Sequence, residues 1–109
     1  MIRVQVDRNA DGAYTAFRVR GHADYAEAGG DIVCAGVSAI VINTVNCLQD
    51  LTDDEVDVRF DEENGCDIQV VFRKKATGDG QFLIDCMLHG LKWIRGQYGG
   101  RYLNYEIRD

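Results

Sequence analysis

The 109-residue chain contains no proline, so nothing in it breaks a long helix or forces a kink. No apolar run approaches the roughly 18 residues of a membrane span, and the first residues show no charged-then-apolar leader pattern. A soluble protein with no membrane partner is expected. The four cysteines, Cys34, Cys47, Cys66 and Cys86, include no CxxC pair, so their spacing suggests neither a zinc knuckle nor a thioredoxin-type dithiol. Hydrophobic residues make up 46% of the chain, enough for a core that needs no staples. A reduced, cytoplasmic protein is therefore expected. Basic residues are also few, with 12 Lys and Arg against 18 Asp and Glu and a net charge of −6. They are scattered rather than gathered in a stripe, so no direct nucleic-acid partner is expected. A basic peptide or protein fits such a surface better, although solubility alone is the better account of the charge.

What is present is a series of short patterned segments that fits one domain, residues 1–109. Residues 2–7 alternate Ile2, Val4 and Val6 with polar neighbours, which is the signature of a half-buried strand. A turn at 9–12 leads to a second strand over 14–20, with Phe17 and Val19 on one face. Over 32–48, Val33, Val37, Ile40, Val41, Thr44 and Leu48 recur at intervals of three and four, predicting a helix with Asp31 as its N-cap. A buried strand over 39–42 is the competing reading, and the length of the pattern disfavours it. A second hairpin is predicted over 56–61 and 66–73 around Asn64-Gly65, pairing Val56, Val58 and Phe60 with Ile68, Val70 and Phe72. Asp79 is the expected N-cap of a helix over 81–95, with Leu83, Cys86, Met87, Gly90, Leu91 and Ile94 along its buried stripe. Gly96 and Gly99-Gly100 are expected to stop it, before a last strand over 102–107. The order ββαββαβ predicts an α+β two-layer domain, a mostly antiparallel sheet with both helices on one face. Its exposed edges make a homodimer reasonable.

The chemistry concentrates in residues 21–38, GHADYAEAGGDIVCAGVS. His22 is placed at the end of a strand and Cys34 in the first turn of a helix. There, unpaired N–H groups and the positive end of the macrodipole favour a thiolate over a thiol. A histidine able to reach that sulfur makes a nucleophile and base pair. Gly29 and Gly30 allow the intervening loop to open and close, and Ala35 and Gly36 leave room for a substrate backbone. Ser38 lies one turn beyond Cys34 on the same face. Asp31 is explained by capping without a catalytic role. Tyr25 and Glu27 read as loop surface, His89 as structural, and Trp93 as packed or interfacial. Cys47, Cys66 and Cys86 read as core or strand residues. Two other classes compete: a non-catalytic peptide-binding partner in ribosome assembly, and a metal site of His22, Asp24, Asp31 and Cys34. The latter is a poor match for zinc, so no metal or other cofactor is expected.

The segment GHADYAEAGGDIVCAGVSAI resembles the signature of the bacterial ribosomal-processing cysteine protease family Prp. That signature has a GHA near the end of the second strand and a DIVCAxVS opening the first helix. The MIRV start, Gly90-Leu91, Tyr98 and the length are similar as well. The resemblance implies Cys34 as nucleophile and His22 as general base and acid, with Asp31 and Ser38 at recurrent polar positions. Gly21, Ala23, Gly29, Gly30 and Ala35 would belong to the lid or substrate-binding backbone. It also implies a homodimeric endopeptidase whose substrate is the N-terminal peptide of a ribosomal protein precursor. That precursor is of large-subunit protein twenty-seven, and the cut follows paired aromatic residues.

Overall fold

The computed structural model describes residues 1–27, 30–61 and 67–109. Its elements are β1 (Ile2–Arg8), β2 (Tyr14–Arg20), α1 (Ile32–Leu51), β3 (Val56–Asp61), β4 (Asp67–Phe72), α2 (Gly78–Tyr98) and β5 (Leu103–Arg108). The strands lie side by side in the order β3-β4-β2-β1-β5. β1–β2, β2–β4 and β3–β4 run antiparallel, while β5 joins β1 in parallel. The α+β expectation therefore holds, and the sheet is mixed. Val4, Val6, Phe17, Val19, Ile68, Val70 and Leu103 form the buried face of the sheet, covered by Val37, Val41 and Leu48 of α1 and by Ile84, Met87 and Leu91 of α2. In the second hairpin Val56 opposes Phe72, Val58 opposes Val70 and Phe60 opposes Ile68, which is the pairing the alternation implies. The Asn64-Gly65 turn and Cys66 lie outside the described residues.

The helices correct the sequence reading in several places. Residues 39–42 are helical, so the competing strand is ruled out. α1 continues to Leu51 and closes with the Thr52 hydroxyl donating to the Leu48 carbonyl at 2.7 Å. Over 20 residues this helix is apolar enough, by length and composition, to cross a bilayer. That overturns the statement that no such run exists, although here α1 packs against the sheet and α2. α2 begins at Gly78, and its N-cap is Thr77, not Asp79: the Thr77 hydroxyl accepts from Gly80 N–H at 3.0 Å. Asp54 decides the matter, since its carboxylate accepts from both Thr77 N–H and the Thr77 hydroxyl at 2.7 Å. α2 also runs through Gly96 to Tyr98, and only Gly99, with φ of +107°, stops it. Its buried stripe is Gly80, Ile84, Met87, Leu91 and Ile94, leaving Cys86 and His89 exposed and Trp93 62% exposed. Cys86 is therefore not a core residue.

α1 and α2 approach through small residues. A β-carbon on Gly36 would stand 3.3 Å from Ile94 Cδ1, and one on Gly90 3.0 Å from Ile40 Cδ1. Gly36 thus serves the helix contact and does not open space for a substrate.

Candidate active site

The site begins where β2 ends. Gly21 has φ of +96°, and a β-carbon there would lie 2.6 Å from the Met1 carbonyl oxygen. Only glycine turns the chain here, because the left-handed region and the close backbone both exclude a side chain. The turn aims His22 at the N-terminus of α1. Gly21→Ala is expected to lower Tm by about 5 °C or more and to reduce peptide cleavage with it. Thermal denaturation and an activity assay check this, and unchanged values in both would contradict the role given to Gly21.

Asp31 caps α1 as the sequence implies, and it does more. Oδ1 accepts from Val33 N–H and Cys34 N–H, each at 3.0 Å. Oδ2 accepts from Tyr25 N–H at 3.0 Å and Ala26 N–H at 3.4 Å. One carboxylate therefore fastens the loop after His22 to the helix that carries Cys34. Desolvation pushes its pKa up, but the N–H donors of Cys34, Ala26 and Tyr25 and the Cys34 side chain outweigh it, so the carboxyl sits below its ordinary value. A lowered carboxyl pKa contributes stability that is present above the unfolded value and lost as pH falls through the folded one. Asp31→Asn should therefore have a lower Tm than wild type at neutral pH, and the gap should narrow between about pH 5 and pH 2. Melting curves over that range check it; a gap independent of pH would contradict the charge-assisted strap.

Cys34 is half-buried in the first turn of α1, and its sulfur accepts from Ala23 N–H at 3.2 Å. That bond favours a negative sulfur and ties it to the residue after His22. His22, Cys34, Asp31, Ala35 and Ser38 line one open cleft of about 500 Å³, with Asp24 and Ala26 at its rim. The Ser38 hydroxyl makes no hydrogen bond among the described residues and stands open in the cleft wall. Beneath the cleft is a narrower apolar slot of about 50 Å³, its lip formed by His22, Cys34 and Ser38 and its walls by Val19, Val37, Val41 and Ile68. In the sequence those four read only as core, because the slot exists only once β2, α1 and β4 meet.

The loop between them has a second anchor. The Tyr25 ring packs edge-on against Tyr98, at 5.4 Å, and against Tyr102, at 5.2 Å. Tyr25 is thus loop surface on one side and a clasp on the other, a contact with residues over seventy positions away that periodicity does not reveal. Asp24 holds φ of +57°, a conformation aspartate tolerates. Gly30 has no left-handed φ, and a β-carbon there would meet only the Glu27 carbonyl at 3.6 Å. Gly29 lies outside the described residues. Among the described residues no three His, Cys, Asp or Glu side chains gather as a metal-holding group. Cys47 and Cys86 are free thiols that do not line the cleft.

The model of the family described as cysteine protease Prp matches residues 1–103 of this chain. The chain belongs to the cysteine protease Prp family. It is accordingly a cysteine protease, and the cleft holds the two residue types that such chemistry requires. The ribosomal processing cysteine protease Prp of Staphylococcus aureus is 35% identical over 107 residues, covering 97% of this chain and 100% of that protein. The Bacillus subtilis protein of the same name is 33% identical over 101 residues, 90% of each. The crystal structure of the Staphylococcus aureus Prp with a covalently linked product peptide matches with a TM-score of 0.91 at 31% identity, covering 99% of this chain and 100% of that one. The same protease with a substrate peptide matches with a TM-score of 0.86 at 30% identity, with the same coverage.

Proposed function

We propose that this chain is a ribosomal-processing endopeptidase that removes the short N-terminal extension from the precursor of large-subunit ribosomal protein twenty-seven. It cuts after paired aromatic residues through Cys34 and His22. The observation that carries the reading is that Cys34, in the first turn of α1 with an N–H on its sulfur, shares one cleft with His22. His22 takes the Cys34 proton, and the resulting thiolate attacks the scissile carbonyl, forming a C–S bond as the carbonyl π pair moves onto oxygen. His22 then protonates the amine as the C–N bond breaks. Water, losing its proton to His22, hydrolyses the thioester and returns the thiolate.

The oxyanion needs donors that are unused or held only by a weak acceptor such as sulfur. In the first turn, Val33 and Cys34 N–H are committed to Asp31 Oδ1 and Ala35 N–H to the Asp31 carbonyl at 3.0 Å. The helix start is therefore less available than the sequence implies. Ala23 N–H, already directed at the sulfur, is within reach of an oxygen borne on the carbon that bonds to that sulfur. The apolar slot at the lip of the site suits a hydrophobic side chain next to the scissile bond. The related proteases described with peptides bound support a peptide substrate. The net charge of −6 suits a basic ribosomal-protein precursor.

In this reading the enzyme works in the cytoplasm as a homodimer. Phe82, 66% exposed, and Trp93, 62% exposed, share one side of α2 and offer apolar surface to a second copy. The test is incubation with a peptide spanning the extension junction, with mass spectrometry to locate the cut. Cutting after the aromatic pair supports the assignment; a well-folded protein that binds the peptide without cutting it overturns it in favour of a peptide-binding role.

A further inference from the structure

On the face of the sheet turned away from the helices, some arginines are matched with carboxylates. Arg18 holds Asp67 at 2.6 Å, and Arg108 holds Asp7 at 3.0 Å. Just beyond β4, Arg73 holds Asp57 at 2.7 Å. Arg59, Arg3 and Arg20 have no ion pair within 4 Å and no side-chain hydrogen bond among the described residues, and the one carboxylate opposite Arg20, Asp67, is held by Arg18. Of these three, the register sets Arg3 and Arg20 directly opposite each other across β1 and β2. Like charges in that position repel and destabilise the pairing. Composition does not force this, because 18 carboxylates outnumber 12 bases in the chain.

Across the next strand, Asn104 stands opposite Arg3. Its Oδ1 accepts from Tyr105 N–H at 3.1 Å, so the group left to present outward is the amide NH₂. Arg20, Arg3 and Asn104 thus form a continuous row of donors with no acceptor among them. Beside it opens a pocket of about 80 Å³ that these three residues line together with Gln5 and Glu106. A water's share of liquid volume is about 30 Å³, so the space accommodates more than a single water.

We infer that this row binds a phosphate group. One guanidinium fork satisfies a planar carboxylate, whereas two guanidiniums and an amide lining one pocket from three neighbouring strands suit the several oxygens of a tetrahedral oxyanion. A phosphate also cancels the repulsion between the two arginines. Glu106 confines the anion to the Arg3–Arg20 side, and the acidic remainder of the surface limits a longer polyanion to local contact there. The same chemistry is offered by inorganic phosphate and by the backbone of a polynucleotide.

The test follows the arginine side-chain N–H resonances of the full chain by NMR while inorganic phosphate is added. Sodium chloride at matched ionic strength and an Arg3→Gln/Arg20→Gln double variant serve as comparisons. The expected result is that the Arg3 and Arg20 signals move together and saturate with phosphate only. Wild type should also gain a few degrees of Tm with phosphate, while the double variant melts higher than wild type without phosphate and gains nothing from it. A short single-stranded RNA that saturates the same signals at about tenfold lower concentration identifies a polynucleotide as the source, and one that binds no better than phosphate identifies the free ion. Signals that follow ionic strength alone overturn the site. So does a phosphate-dependent rise in Tm that persists in the double variant.

Discussion

Cys34→Ala is expected to abolish peptide cleavage, lowering kcat by roughly 10⁴-fold or more, while the protein stays folded. The substitution removes the one atom that forms the acyl bond and leaves the rest of the cleft in place. The cap of α1 survives, because Asp31 Oδ1 keeps the backbone N–H groups of Val33 and Cys34 when the thiol, a further donor to this carboxylate, is removed. The buried Ala23 N–H loses a weak sulfur acceptor, a small loss beside the Asp31 bonds that hold the same loop. Circular dichroism and a Tm near that of wild type, with cleavage lost, would confirm a chemical rather than a structural role. Cys47 and Cys86 are free thiols outside the cleft, so Cys47→Ala and Cys86→Ala should retain activity. Loss of activity in either of these with Cys34→Ala still active would place the nucleophile elsewhere.

His22→Ala should lower kcat/KM by about 10²–10⁴-fold, the range for loss of a positioned proton-transfer group. His22 is exposed at the end of β2 and packs into no core, so Tm should move little. It lines both the open cleft and the apolar slot, and removing it leaves a void that a small base can enter. Added imidazole should therefore restore part of the activity of His22→Ala and none of Cys34→Ala. A structural histidine would show the reverse pattern, with Tm reduced and no rescue.

The strands and the pairing within the second hairpin were readable because a half-buried strand alternates with period two, and a slip by one residue would turn Val56, Val58 and Phe60 to the wrong face. Asp31 was readable as a cap from its place before an apolar helical pattern. Its second role was not, because the donors to Oδ2 come from a loop with no periodicity. At the start of α2, Thr77 and Asp79 are both acceptable caps, and the choice depends on Asp54, which lies 23 positions earlier on the connection between α1 and β3 and bonds Thr77. The parallel pairing of β5 with β1 depends on which sheet edge α2 returns the chain to, and no local signal states it. The misplacement of Cys86 on the buried stripe was an error of one residue in helical phase: Ile84 and Met87 face the core and Cys86 faces out.

Reaction through a Cys34 thioester is most directly tested with the substrate peptide converted to a chloromethyl ketone at the scissile carbonyl, followed by intact-mass and peptide mapping. A single equivalent of adduct is expected, on Cys34, formed quickly in wild type, slowly in His22→Ala and not at all in Cys34→Ala. An adduct on Cys47 or Cys86, or labelling that persists in Cys34→Ala, would contradict the assignment of Cys34 as the nucleophile.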